Sequence, residues 1–143
     1  MTYIVNNGNI YNMNKTSKKI NEFCTKELGK LGEDISKNYL EAKGYKVIEN
    51  NFRCKIGEID IIASKEKLLA FVEVKTRRSL MYGYPQEAVN TTKIKYIKKV
   101  ASYYLSQKMR IQRIFSDFSF RFDVIEINFI NEEYEINHIE DAF

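Results

Sequence analysis

Two apolar runs stand back to back near the middle of the chain, Ile59-Asp60-Ile61-Ile62-Ala63 and Leu68 to Lys75, with the polar stretch Ser64-Lys65-Glu66-Lys67 between them. Runs of this length, rich in Ile and Val and split by charge, predict a β-hairpin. Upstream, Leu28, Leu31, Ile35, Tyr39 and Ala42 recur at three- and four-residue steps. That spacing predicts a helix beginning at Ser17 or Thr25 and ending at Lys43, with Gly44 as its C-terminal cap. Tyr45 to Phe52 reads as a first strand. Thr76 to Tyr84 reads as a polar-aromatic loop, and Pro85 suits the first turn of a second helix from about Gln86 to Lys108. Ile94, Ile97, Ala101, Tyr104 and Leu105 form that helix's buried stripe, with Lys95, Lys98 and Lys99 facing outward. Arg121 to Ile130 and Tyr134 to Ile139 read as two last strands joined by Asn131-Glu132-Glu133. The Asn-rich residues 1–16 predict a flexible arm, and residues 17–143 a single domain. The order of helix, three strands, helix, two strands predicts an α/β fold: a mixed β-sheet of about five strands flanked by two main helices.

The hairpin also carries the candidate chemistry. Residues two apart in a strand share a face, so Glu58 and Asp60 point one way on the first strand, and Phe71, Glu73 and Lys75 one way on the second. If Glu66 and Lys67 are the central turn residues, Asp60 lies opposite Glu73; a turn one residue different makes them diagonal neighbours. Two carboxylates about 4 Å apart repel by roughly 4 kcal/mol at an effective dielectric of about 20. A well-matched cross-strand pair gains only about 0.2–1 kcal/mol. A sheet therefore brings two acids together only where a cation holds them, either Lys75 or a divalent metal. The competing interpretation is a solvated strand face with ordinary charges, but these strands are apolar on both faces.

Composition narrows the function classes. The chain has 143 residues, 44% hydrophobic and 29% charged, enough to bury about two-thirds of its surface as one domain. Its formal net charge is +4, which suits a polyanionic partner; seven basic residues and no acid lie between Lys93 and Arg113. Cys24 and Cys54 form no C-x-x-C pair and imply neither a disulfide framework nor a zinc site. One histidine, His138, makes a His-based metal site or a Ser-His-Asp triad an unpromising reading, and His138 is expected on a strand surface. No apolar run approaches signal-peptide or membrane-span length, so a cytoplasmic protein with no membrane partner is expected.

Several local motifs add a resemblance: Gly29-Lys-Leu-Gly32-Glu33, Tyr39-Leu40 with Gly44-Tyr45, Asn51-Phe52-Arg53, Gly57-Glu58-Ile59-Asp60 and Phe71-Val-Glu73-Val-Lys75-Thr-Arg77. Gly83-Tyr-Pro85, Glu87-Ala-Val89, Lys93, Arg121-Phe-Asp123-Val and Asp141-Ala-Phe143 follow. Over residues 27–143 the chain resembles the restriction-endonuclease-like PD-(D/E)xK superfamily. Within it, the chain is most similar to the YraN-like family of predicted endonucleases, related to archaeal Holliday junction resolvases. Ile59 stands where the wider motif has its proline.

The resemblance implies a restriction-endonuclease-like core and hydrolysis of phosphodiester bonds in structured DNA, with Mg²⁺ or Mn²⁺ as cofactor. Asp60, Glu73 and Lys75 are the expected catalytic residues. Glu33, Asp60 and Glu73 are the expected metal ligands, with the Val74 carbonyl as a possible further oxygen. Glu33 lies away from the apolar stripe of its helix, nearer the small-residue flank of Gly29, Gly32 and Ser36, where a helix can approach a sheet closely. Arg53, Arg77, Arg78 and Lys93 are expected to bind nucleic-acid phosphates, and Tyr82 and Tyr84 to stack on an unpaired base. Arg121 and Asp123 suit a local ion pair as well as a catalytic role, and Glu58 either a supporting or a surface position. The resolvase comparison implies a homodimer. Two other classes remain open: a non-catalytic nucleic-acid-binding module with the same fold, and a protein-interaction domain with a structural acidic cluster.

Overall fold

The structure is a computed structural model that describes residues 3–6, 9–12, 20–78, 90–112, 115–130 and 133–143. The expected arm contains two short strands, β1 (Tyr3–Asn6) and β2 (Asn9–Asn12), paired antiparallel with Asn6 opposite Asn9. The intervening sequence is Asn7-Gly8, a favoured two-residue hairpin dipeptide that the periodicity argument passes over. A 3₁₀ turn (Ile20–Glu22) leads into α1 (Thr25–Ala42). Of the two starts expected for this helix, the structure has the later one. The Cys24 amide donates to the Glu27 carboxylate at 2.9 Å, occupying one of the donors left open at the helix start.

The end of α1 follows from Gly44, whose φ is 86°. That conformation lets Tyr45 N–H reach the Leu40 carbonyl at 2.9 Å and Gly44 N–H the Glu41 carbonyl at 3.0 Å, closing the last turn. The chain then runs through β3 (Lys46–Arg53), β4 (Glu58–Lys65), β5 (Leu68–Arg78), α2 (Thr91–Gln112), β6 (Ser119–Ile130) and β7 (Glu133–Ile139). These five strands form one mixed sheet in the order β3-β4-β5-β6-β7. All its pairings are antiparallel except β5 with β6, which are parallel and connected through α2. The expected α/β architecture is therefore present. Thr76, Arg77 and Arg78, expected in a loop, extend β5 because their parallel pairing with β6 continues to Arg78↔Phe129. Tyr82, Tyr84, Pro85, the expected helix start at Gln86 and the Asn131-Glu132 turn lie outside the described residues.

One helix covers each face. Leu28, Leu31, Ile35 and Leu40 of α1 pack on Ile61, Ala63, Ala70, Val72, Ile125 and Ile127. Ile97, Val100, Ala101 and Tyr104 of α2 pack on Ile62, Leu69 and Phe71. The small-residue flank of α1 does bring the helix close to the sheet, at Gly32: a Cβ there would lie 1.9 Å from Thr76 Oγ1. At Gly29 a Cβ would meet nothing within 4 Å. Gly32→Ala should therefore lower the thermal midpoint, although alanine is normally favoured over glycine inside a helix by roughly 0.5–1 kcal/mol. Overpacking against a β-branched neighbour costs about 1–3 kcal/mol and should dominate. An unchanged or raised midpoint in a thermal melt would show that Thr76 can move aside.

Candidate functional site

The β4–β5 ladder runs from Lys65↔Leu68 to Ile61↔Val72. This is the register of a two-residue Glu66-Lys67 turn, and Glu66 takes the positive φ (54°) that such a turn demands. Asp60 and Glu73 come next along their strands, at the place where the ladder ends.

Asp60 does not continue the strand pattern. Ile59 packs in the α2-side core and Ile61 in the α1-side core, although they are two residues apart. Asn51, on the adjoining strand, has φ 51°, and the β3–β4 pairing passes over Asn51 and Asp60 between Asn50↔Ile61 and Phe52↔Ile59. Alternation thus breaks at Asp60, and its carboxylate turns toward β5, where Oδ2 accepts the Val74 N–H at 2.7 Å. A side-chain oxygen serves here where a strand carbonyl would otherwise have continued the ladder. Asn tolerates left-handed backbone better than most residues, so Asn51 was the available sequence signal for this irregularity.

Burial pushes the Asp60 carboxyl up to about 7, with repulsion from Glu73 and then Glu33 adding to it; the Val74 amide and Lys93 oppose the rise. Glu73 is buried, at 9% exposure. Lys93, from the first turn of α2, places its ammonium on Glu73 Oε1. Asn90 starts this helix, its side chain accepting the Thr92 N–H at 2.9 Å and its carbonyl the Ile94 N–H at 3.1 Å. Lys75 is half-buried two residues beyond Glu73 and on the same strand face. Glu33 is half-buried on α1 and accepts a hydrogen bond from Asn51 Nδ2 at 3.1 Å. It borders a cavity of about 310 Å³ that lies between Thr25, Gly29 and Glu33 on α1 and Val74, Thr76 and Arg78 on β5.

The structure therefore brings Asp60, Glu73 and Lys93 together, with Lys75 alongside and Glu33 close enough to repel Asp60. Among the described residues, no three Asp, Glu, His or Cys side chains converge to enclose an ion by themselves. Mg²⁺ requires less, since it keeps several waters and is commonly held by one or two carboxylates. Asp60, half-buried, and Glu73, buried, repel each other and fit that requirement.

The expected phosphate contacts separate. Arg53 is exposed and pairs with Glu58 at 3.1 Å, which places Glu58 at the surface. Arg77 is half-buried on β5. Arg78 donates to the carbonyls of Phe23 at 2.6 Å and Ile20 at 3.2 Å, holding the turn before α1. Lys93, expected on phosphate, is on Glu73. Lys95, Lys98 and Lys99 form the exposed face expected of them.

Arg121 and Asp123 form an ion-pair network on the α1 side of the sheet. Arg121 Nε and Nη2 each donate to Asp123 at 2.8 Å, and Nη2 also donates to the Tyr45 hydroxyl at 2.7 Å. His138 corrects the surface expectation: its side chain is 7% exposed and lies 2.9 Å from Asp123 Oδ2, edge-on to Tyr39. Burial would raise the Asp123 carboxyl, but hydrogen bonds from His138, Arg121 and the Asp141 amide outweigh it and hold the carboxyl below its usual range.

Comparison with known proteins adds a family match. The model of the uncharacterised protein family UPF0102 matches residues 32–127. A UPF0102 protein of Alkaliphilus metalliredigens is 52% identical over 119 residues, covering 83% of this chain and 99% of the relative. One from Clostridium botulinum is 46% identical, covering 85% of this chain and 97% of the relative. Among solved structures, Pyrococcus furiosus SfsA in complex with Ca²⁺ aligns with a TM-score of 0.40 at 18% identity, over 98% of this chain and 69% of that one. No helix among the described residues is long and apolar enough to cross a membrane.

Proposed function

The chain belongs to the uncharacterised protein family UPF0102, and from the site it carries we propose a metal-dependent nuclease that hydrolyses phosphodiester bonds in structured DNA. The observation that carries this reading is the acidic pair at the end of the β4–β5 ladder, a half-buried Asp60 beside a buried Glu73. Desolvation, with repulsion from Glu73 added to it, raises Asp60 to about 7, an arrangement that opposes folding unless a cation compensates it. Strongly perturbed groups of this kind concentrate at functional sites.

In this reading Asp60 and Glu73 hold Mg²⁺ or Mn²⁺, and Glu33 reaches it directly or through water. The cation supplies Lewis acidity toward a phosphoryl oxygen and lowers the pKa of water. Lys75 orients the attacking water or takes its proton, and sets its ammonium against the charge that develops on the phosphorus oxygens. Arg53 and Arg77 approach flanking phosphates. Arg78 contributes indirectly by fixing the start of α1. A cytoplasmic homodimer acting on two strands belongs to the same proposal.

Lys75→Ala should reduce Mg²⁺-dependent cleavage of a branched DNA by about 10²–10⁴-fold and leave DNA affinity in place. The assay is a panel of branched, single-stranded and duplex substrates with Mg²⁺ or Mn²⁺. Binding without cleavage by the parent chain on every substrate would replace the nuclease with a non-catalytic nucleic-acid-binding module. Absence of both would leave the acidic cluster a structural role.

A further inference from the structure

The cation on Glu73 comes from a different element of the fold. Lys93 reaches from the start of α2 to Oε1 of Glu73, while Lys75 already lies on Glu73's own strand and face. The two ends of the Lys93–Glu73 pair are unlike. The Glu73 side chain is 10% exposed and the Lys93 side chain 52%. The carboxylate is thus held by the sheet, whereas the ammonium sits on a flexible four-carbon stem open to solvent. A carboxylate oxygen in contact with an ammonium cannot also ligate a divalent cation without strong repulsion between the two positive charges. A metal that takes Oε1 of Glu73 has to displace Lys93, and the half-exposed stem gives the ammonium somewhere to go.

We propose that Lys93 is an exchangeable counter-ion, paired with Glu73 while the site lacks a metal and transferred to a substrate phosphate when Glu73 takes a divalent cation. This rests on the nuclease reading and goes beyond it by coupling metal and nucleic acid through one side chain. In the free protein Lys93 competes with the metal and weakens its binding. Beside a bound DNA strand the released ammonium gains a phosphate partner, so that competition disappears. Metal then tightens DNA binding by the same factor that DNA tightens metal binding, because the coupling is reciprocal. The chain is thereby biased toward holding its metal only when substrate is present.

The test is calorimetric titration of Mn²⁺ into the full chain, alone and with a four-way DNA junction. Lys75→Ala in every protein used keeps the junction intact. Lys93→Met, which keeps the stem and removes the charge, should bind Mn²⁺ about tenfold more tightly than its parent in the absence of DNA. With the junction present, the parent should tighten toward the variant, and the variant should change little. Lys93→Arg should behave like the parent, and Lys95→Met, an exposed change of equal charge on the same helix, should have no effect on Mn²⁺ affinity. Thermal melts establish that each variant is folded; if Lys93→Met is not, Lys93→Gln takes its place. Equal or weaker Mn²⁺ binding by a folded Lys93→Met or Lys93→Gln would overturn the exchange. Tighter binding with the DNA coupling intact would overturn the phosphate partner. No Mn²⁺ binding by any of the proteins, including the variants freed of Lys93, would remove the nuclease reading itself, and the exchange with it.

Discussion

Asp60→Asn is expected to melt at a higher temperature than the parent chain at pH 8 in the presence of a chelator, and to lose that advantage as the pH falls toward 4. The carboxyl titrates near 3.8 when unperturbed and is raised to about 7 in the fold. Below the lower value both states hold the proton and the residue contributes no pH dependence. Between the two values the folded chain keeps a proton that the unfolded chain has released, so stability falls as pH rises through this window. Above about 7 the whole cost is present. At about 1.4 kcal/mol per pKa unit, that cost is on the order of 2–4 kcal/mol. Asparagine removes the charge and retains an oxygen to accept the Val74 amide, so it should recover much of that energy. Thermal melts of both proteins from pH 4 to 8 provide the measurement. A lower midpoint for the variant at pH 8 would mean that the charge at Asp60 stabilises the metal-free fold, and the acidic pair would then be structural.

Asp123→Ala should have the opposite effect, with a loss of about 3–5 kcal/mol, the usual result of removing one member of a buried ion pair. Asp123 is fully buried and accepts both nitrogens of the Arg121 fork, contacts His138 and accepts the Asp141 amide at 3.1 Å. Without it, the Arg121 charge, on a side chain only 18% exposed, keeps the Tyr45 hydroxyl and Glu140 among the described residues. The carboxyl is held below its usual range, so its contribution is present above the unfolded pKa and is lost only as the pH falls through the lower, folded value. The parent and variant melts should therefore differ most at neutral pH and converge in acid. Below its melting temperature the variant should retain metal binding, because this network lies on the face of the sheet opposite Glu73 and Lys75. Loss of Mn²⁺ binding by a folded Asp123→Ala protein would tie the two clusters together.

These two acids also show how far local pattern carries. The Asp60–Glu73 relationship was legible because a hairpin encodes its register in its turn: the sequence narrowed that turn to Ser64–Lys67, and the Lys65↔Leu68 pairing puts it at Glu66-Lys67. The α1 stripe and its Gly44 cap were legible for the same reason, since helix period and terminator lie within a few residues of each other. The contacts of Lys93 and Arg78 and the burial of His138 were not legible because their partners are distant in sequence. Lys93 meets Glu73 across the β5–α2 connection, Arg78 meets Ile20 and Phe23 across three strands' worth of chain, and His138 meets Asp123 only through the pairing of β7 with β6. Spacing along the chain holds no information about such encounters until the strand order is known. The same limit explains β5: its last three residues looked polar enough for a loop, and only the neighbouring β6 keeps them extended.

Ile61 and Val72, the last joined residues of β4 and β5, are both 0% exposed. They act as the rivet of a pair of shears whose blades carry Asp60 and Glu73. The span between those acids consequently starts from a fixed backbone spacing, clamped between two aliphatic side chains sunk in the core beneath α1. Loosening that clamp would widen the opening from behind, without altering a single charge at its mouth.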